Sequence, residues 1–335
     1  MKNLNLLQIT ILFLLFTVAG CTDHEIPEPD TLTAEEFASN LITPFGVTKG
    51  EGDILWVTEV GTGNNDGRVS MITSDGTVHP AITGFNSVIS EEEGLPDGLT
   101  HLKYKDGKLY IVQGVGGFLY IVDVSGFNPG DAPIQASTLT GENIGQFVLD
   151  YNFIIDTGMS HLYNFTWGFD GDIFFTDAAA NAIIRRKANG DLSVFTEFTQ
   201  FPNPTAVGPP FVDFVPTGIA YDGTKFLVSS LSGFPFADGN ASIYQVNQAG
   251  AASSFKSGYT MLTDIVLTPS NSPLVIQFAT FSPATGFAPN SGKVSDVNST
   301  TLLESIMMPT DIERTDDKTY FMVSFGENKI YKLTY

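Results

Sequence analysis

One unit of sequence recurs six times along this chain, and that repetition limits the fold more than any other feature. Each unit opens with proline or leucine, one further residue, and then glycine, aspartate or asparagine before an apolar run. A turn, often Asp-Gly, leads into a second apolar run. The units begin at residues 44, 96, 162, 216, 262 and 309. Because four short strands with their turns need about 40–50 residues, this period predicts propeller blades, one for each unit.

The last unit is too short to form a complete blade by itself. Only 26 residues follow Pro309, and they offer three strands, of which the third lies at 329–333. We expect residues 35–41 to supply the fourth strand, because this pairing closes the ring and removes the open sheet edges. The sequence therefore predicts an all-β, six-bladed β-propeller over residues 35–335.

The first twenty residues have the layout of an export signal. Lys2 precedes an apolar run from Leu6 to Val18 that is too short to span a bilayer. The run ends in VAGC at 18–21, which matches a bacterial lipobox, although an ordinary secretory signal is the alternative. We expect cleavage after residue 20, acylation of Cys21, and a flexible tether over residues 21–34.

The lipobox also predicts where the protein resides. Acyl chains on Cys21 would hold it on a membrane of the cell envelope. Thr22 follows the cysteine where an aspartate would favour retention at the inner membrane, so the outer membrane is expected. The propeller would then face the periplasm or the cell exterior.

The composition excludes several classes of chemistry and partner. Acidic residues outnumber basic residues 37 to 16, and the formal charge is −21. Nucleic acids and anionic lipids bind basic patches, so neither is expected to bind the propeller. Cys21 is the only cysteine, which leaves no disulfide framework and no thiol chemistry.

Several motifs in the middle of the chain resemble one propeller family. The stretch YNFTWGFDGDIFFTDA at 163–178 is similar to the core motif of the ScyD/ScyE family, which is named from the scytonemin pigment gene cluster. NAIIR at 181–185, VPTGIA at 215–220 and LSGFPF at 231–236 continue the resemblance in the family's order. The resemblance covers about residues 40–335 and implies a six-bladed propeller of the NHL and gluconolactonase-like group. It implies no defined biochemical activity.

Candidate site residues gather where the inner strands begin and in the loops between second and third strands. In such propellers these segments form one mouth of the central channel. The candidate ligand-binding residues are Glu59, Asp97, His161, Asn164, Asp177, Thr217, Phe234 and Phe236. The resemblance to gluconolactonase-like propellers, which hold a divalent metal in this region with Glu, Asn and Asp, adds a candidate metal set of Asp177, Asp264 and Asp311. Converging oxygen ligands suit Ca²⁺, but aspartate at the start of a strand also caps turns.

Three functions are compatible with these residues. The first is a non-enzymatic propeller that binds a small molecule, peptide or glycan at the channel mouth. The second is a Ca²⁺-type hydrolase or lyase, and the third is a protein-binding platform built on segment 125–161. No Gly-x-Ser-x-Gly motif is present, and the sequence assigns neither catalytic residues nor an oligomeric state. A mouth closed by aromatic side chains would favour binding, and three or more convergent oxygens would favour the enzyme.

Overall fold

Six sheets, each with four antiparallel strands built around one sequence repeat, form the six blades of a propeller in the computed structural model. The structure describes residues 26–91 and 94–335. The first described strand, β1 (Thr33–Ala38), belongs to the last blade. Blade 1 contains β2 (Pro44–Lys49), β3 (Leu55–Glu59), β4 (Gly67–Ile72) and β5 (Val78–Phe85). A short ribbon of β6 (Val88–Ile89) and β7 (Pro96–Asp97) follows.

Blades 2 and 3 enclose the longest insertion of the chain. Blade 2 contains β8 (Leu99–Lys105), β9 (Lys108–Gln113), β10 (Phe118–Asp123) and β12 (Gly141–Asn143). Between β10 and β12, β11 (Ile134–Gln135) pairs with β5 and precedes the 3-10 turn η1 (Ala136–Thr138). The short helix α1 (Ile144–Leu149) leads towards blade 3. Blade 3 contains β13 (Leu162–Trp167), the turn η2 (Phe169–Gly171), β14 (Ile173–Asp177), β15 (Ala182–Arg186) and β16 (Leu192–Glu197).

The remaining blades follow the same pattern. After a ribbon of β17 (Phe201–Pro202) and β18 (Phe211–Val212), blade 4 contains β19 (Pro216–Tyr221), β20 (Phe226–Ser230), β21 (Ala241–Val246) and β22 (Ala252–Tyr259). Blade 5 contains β23 (Leu262–Leu267), β24 (Pro273–Gln277), the ribbon β25 (Phe281–Ser282) and β26 (Gly286–Phe287), β27 (Gly292–Ser295) and β28 (Thr301–Ile306). Blade 6 contains β29 (Pro309–Asp316), β30 (Thr319–Ser324) and β31 (Lys329–Thr334). No helix in the described part of the chain has the length and apolar character of a membrane span.

The ring closes as the sequence predicts. Strand β1 pairs antiparallel with β31, with Thr33 opposite Thr334 and Ala38 opposite Ile330. The closing strand begins at Thr33, before the expected residue 35, and the buried Leu32 packs into the core of blades 5 and 6. Two segments of the chain that are distant in sequence thus complete one four-stranded sheet, in which β1 is the outermost strand.

One inner strand begins later than the repeat suggests. The second unit opens at Pro96, but Pro96 and Asp97 pair with Val88 and Ile89 in the ribbon outside blade 2. Strand β8 starts at Leu99. The second unit therefore still forms blade 2, although its first two residues belong to the β6–β7 ribbon and not to the inner strand β8.

Buried threonine hydroxyls join every blade to the next. At each of the six junctions, a threonine hydroxyl donates a hydrogen bond of 2.5–3.2 Å to a backbone carbonyl of the following inner strand. The pairs are Thr58 to Thr100, Thr100 to Leu162, Thr176 to Thr217, Thr217 to Leu262, Thr263 to Pro309 and Thr310 to Phe45. Blades 1 and 3 have Phe45 and Tyr163 at the inner position, and there the second strand supplies the hydroxyl instead.

Two glycines allow the inner strands to approach closely. A Cβ atom on Gly46 would lie 2.8 Å from the Cα atom of His101. One on Gly218 would lie 2.5 Å from a carboxylate oxygen of Asp264. Any side chain at either position would push neighbouring blades apart, so the glycine of the repeat sets how narrow the axis is.

The strand directions give the ring two distinct faces. All inner strands begin at one end, which we call the upper face. The opposite end, with the hairpins between first and second strands, is the lower face. The upper-face loops are 39–43, 60–66, 86–91 with 94–98, 114–117, 144–161, 178–181, 198–215, 231–240, 260–261, 278–291, 307–308 and 325–328.

Replacing Thr176 by valine should destabilise the fold. The buried hydroxyl accepts from the backbone N–H of Asn164 and donates to the backbone carbonyl of Thr217. The nearly isosteric valine would leave both groups unpaired. We expect a loss of about 1–3 kcal/mol in the free energy of unfolding, measured by urea denaturation. Thr166→Val is the matched control, because its half-buried hydroxyl has one weak contact at 3.4 Å. Equal losses in the two variants would contradict this role.

Candidate functional site

The third residues of the inner strands meet on the propeller axis. His101, Asp264 and Asp311 are buried there, and one potential ligand atom from each lies within 4.8 Å of the others. Asn164 joins them by donating from Nδ2 to Asp264 over 2.9 Å. Two of the three predicted metal ligands and one predicted ligand-binding residue thus converge with a histidine.

The two aspartates at the axis cannot both carry charge without cost. Burial and the nearby Asp311 carboxylate raise the pKa of Asp264 well above its ordinary value. Asp264 accepts from Asn164 and from the backbone N–H of Ile312, and Asp311 accepts from the N–H of Val47 at 2.6 Å. The geometry therefore favours one proton held on the pair.

His101 is neutral and has one free ring nitrogen. Its Nδ1 lies 2.8 Å from the carbonyl oxygen of Tyr163, which can only accept, so Nδ1 carries the proton. Burial lowers the pKa of His101. Its Nε2 has no hydrogen-bond partner and lies 4.0 Å from Asp311 Oδ1. The Nε2 atom thus faces Asp311, and the backbone of Thr310 also lies beside the ring.

Aromatic rings cover this cluster on the upper face. The Phe45 ring makes edge contacts with His101 and Tyr163, with centroids 5.5 and 5.6 Å apart. Phe325 packs on Phe45 at 6.2 Å, and Tyr163 lies 4.9 Å from the imidazole. The channel mouth on this side is closed by side chains rather than lined by oxygens.

A small charged cavity of about 230 Å³ opens on the lower side of the cluster. Lys103 Nζ lies 4.0 Å from Glu313 Oε2 at its wall. Burial raises the pKa of Glu313, and Glu313, Asp311 and Asp264 together raise that of Lys103 despite its burial. The volume is below the 300–1,000 Å³ typical of ligand pockets, so only a very small molecule would fit.

Glu59 and Asp177 lie apart from the axial cluster. Glu59 is fully buried, and Arg68 donates to it through two nitrogens at 2.7 Å each. Asp177 accepts from the Ser160 hydroxyl and from two backbone N–H groups, and burial raises its pKa. Both carboxyl groups organise upper-face loops, and Asp177 is not one of the three converging groups.

The other predicted residues are distributed over the upper face and the blade junctions. His161 Nε2 lies 2.9 and 3.1 Å from the oxygens of Asp97, where both side chains are partly exposed. Thr217 is one of the buried threonines whose hydroxyls join neighbouring blades, a set that we call the threonine ring. Cys21 lies outside the residues that the structure describes.

Phe234 and Phe236 form an aromatic cluster with the neighbouring blade. Phe236 packs on Phe281 with centroids 5.2 Å apart, and Phe281 packs on Phe287 at 5.1 Å. Phe234 lies 6.1 Å from Phe281 and remains 43% exposed. Thus one phenylalanine packs between blades, while the other is available for contact.

Sequence reasoning missed His101, Lys103 and Glu313. The second unit, read from Pro96, has Gly98 at its third position, and only the start of β8 at Leu99 aligns His101 with Asp264 and Asp311. In the sequence, His101 is a single histidine within a predicted inner strand, with no neighbouring metal ligand to mark it. The cluster could bind a divalent cation or hold a proton, and it contains no hydroxyl or thiol nucleophile.

The chain has the fold of known enzymes but little sequence in common with them. No family model and no curated protein matches the sequence. Virginiamycin B lyase from Staphylococcus aureus is similar in structure with a TM-score of 0.53 and 16% identity, over 91% of this chain and 99% of that one. A gluconolactonase from Xanthomonas campestris has a TM-score of 0.56 and 12% identity, over 91% and 90%.

A third structural neighbour is a sugar dehydrogenase. The PQQ-bound aldose sugar dehydrogenase from Streptomyces coelicolor has a TM-score of 0.57 and 11% identity, over 92% of this chain and 99% of that one. The chain is therefore a six-bladed β-propeller with structural neighbours in the gluconolactonase and virginiamycin B lyase group. At these identities the likeness shows the fold alone.

The raised pKa of Asp264 predicts how stability depends on pH. In chelator-treated protein, the folded state holds a proton that the unfolded Asp264 releases near pH 4, so the free energy of unfolding should fall as pH rises through the raised pKa. Asp264→Asn should flatten this fall in urea denaturation series. Asp222→Asn is the control of opposite sign, because the lowered pKa of Asp222 makes its contribution disappear as pH falls. Parallel profiles for wild type and Asp264→Asn would contradict the assignment.

Proposed function

We propose that this protein is a lipid-anchored binding propeller of the cell envelope, of the ScyD/ScyE kind, with its binding site on the upper face. The site would hold a partner or ligand around the closed channel mouth and would not catalyse a reaction. The placement of exposed apolar side chains carries this proposal.

All but one of the exposed large hydrophobic side chains in the described part of the chain lie in upper-face loops. They are Val88, Ile89, Leu149, Tyr151, Ile154, Ile155, Met159, Val207, Phe211 and Phe234, and Ile121 on β10 is the exception. Five of them fall within residues 149–159, and an exposed apolar patch on a soluble domain commonly marks an interaction site. Because aromatic rings close the axis beneath these loops, a ligand would bind on the face rather than in the channel.

The proposed anchor would leave this face free. Thr33 lies at the lower end of β1, and the Glu28 carboxylate accepts from Thr268 in the lower hairpin of blade 5. Cys21 is five residues before Ile26, so a fully extended chain spans at most about 18 Å between them. A lipid on Cys21 would therefore hold the lower face nearest the membrane.

The anchor is tested by removing the acylated residue. Cys21→Ala should transfer the protein from the membrane fraction to the soluble periplasmic or secreted fraction, measured by cell fractionation and immunoblotting. Thr22→Ala is the control and should stay with the membrane. Retention of Cys21→Ala in the membrane would contradict the lipoprotein assignment.

The binding face is tested by hydrogen–deuterium exchange. Added envelope extract should slow exchange at 144–161, 198–215 and 231–240, because an occupant excludes water from those loops. The lower hairpins at 105–108 and 222–225 serve as an internal control and should not change. Unchanged upper loops, or equal protection on both faces, would contradict the proposal.

A cation-dependent hydrolase or lyase is the second candidate, supported by the free Nε2 of His101. His101, Asp264 and Asp311 would hold the ion, which would polarise a substrate oxygen or lower the pKa of bound water. One imidazole and two carboxylates suit Zn²⁺ or Mn²⁺ better than the Ca²⁺ expected from oxygen ligands alone. This candidate predicts one bound equivalent of such an ion, lost in His101→Gln, with unchanged exchange in the upper loops.

A further inference from the structure

The upper-face loops contain no lysine and no arginine. This holds for each of the twelve upper-face loops. Basic residues instead occupy strands and lower-face turns, including Lys49, Lys105, Lys187, Lys225 and Lys318. The two faces of the ring therefore differ in their content of basic residues. Acidic residues, in contrast, are spread evenly along the chain.

Three basic side chains come nearest to the upper face, at the first or second residue of a strand. Arg68 is held in the buried pair with Glu59, and Lys329 lies 2.9 Å from Glu36. Lys293 is partly buried on β27. Two of these three charges are thus neutralised within the protein.

Acidic residues, in contrast, accompany the exposed apolar side chains. In segment 149–159, Asp150 and Asp156 are exposed among five exposed hydrophobic residues, of which Ile154 is 84% exposed. On the other side of the face, Asp238 is exposed four residues after Phe234. We call these the 149–159 patch and the Phe234 patch. Both combine apolar area with negative charge.

We propose that the upper face docks a cationic, apolar segment of a partner polypeptide. This inference rests on the proposed binding function and names its partner class. Apolar side chains of the partner would cover the two patches, while its lysines and arginines would pair with the surrounding carboxylates. Separate patches on different loops suit an extended partner, whereas small ligands need concave pockets.

Other occupants fit the same face less well. Anionic lipid would be repelled by the carboxylates, and the chain enters the propeller from the opposite face. A second copy docked face to face would bring two acidic surfaces together. Charge complementarity therefore favours a basic partner segment over either alternative.

The test uses a labelled 18-residue peptide of leucine and lysine with helical spacing. The protein is the mature chain from residue 21 with Cys21→Ser, which keeps every described residue and needs no detergent. Fluorescence anisotropy should show binding that weakens with added salt. Matched peptides with glutamate in place of lysine, or serine in place of leucine, should bind at least tenfold more weakly.

Paired variants locate the binding on the surface. Asp150→Lys with Asp238→Lys should weaken peptide binding at least tenfold, as should Ile154→Ser with Phe234→Ser. The lower-face pair Asp53→Lys with Asp317→Lys makes the same change in charge, and Ile121→Ser removes the exposed hydrophobic residue outside the upper face. Both controls should bind within twofold of wild type.

Several results would overturn the inference. Absence of peptide binding, equal binding of the glutamate or serine peptide, or equal losses in the lower-face controls would each do so. If envelope extract still protects the upper loops while the basic peptide fails to bind, the partner class is wrong and the binding function stands. If neither occurs, both are wrong.

Discussion

The threonine ring sets the limits within which the rest of this propeller operates. Each blade junction is fixed by a hydroxyl that donates to a carbonyl of the next inner strand. Together with Gly46 and Gly218, these bonds draw the inner strands close to the axis. The channel therefore has room for packed side chains but for little else, and aromatic rings close its upper end. The proposed recognition therefore falls to the loops of the upper face.

The sequence predicts the fold well because the signals for the blades are local. Short apolar runs separated by turns, several of them Asp-Gly, recur along the chain, and the incomplete last unit requires a closing strand, which pairs as expected. The site is harder to predict, since polar side chains at the upper ends of the first and second strands have different roles. Thr217 bridges two blades, Asn164 binds a carboxyl group on the axis, and Asp177 organises a loop. Residue type alone does not separate these roles, because each depends on a neighbour more than 40 positions away or on loop geometry.

The axial cluster and the upper face differ in burial and in the properties of the protein that they affect. His101, Asp264 and Asp311 form a buried polar group whose partners are almost complete, so its first effect is on stability and on its dependence on pH. The upper face is exposed, apolar and free of basic residues in its loops, which are properties of a binding surface. Structural neighbours with 11–16% identity share the scaffold. Function in such folds depends on the residues placed on the scaffold.

Site-specific photo-cross-linking in intact cells can show whether the upper face binds a second polypeptide. A photoreactive phenylalanine analogue would replace Phe234 on the upper face in one strain and the equally exposed Ile121 on β10 in another. We expect a light-dependent adduct with a second polypeptide from position 234 and none from position 121. Adducts from neither position, or equal adducts from both, would contradict a binding site on the upper face.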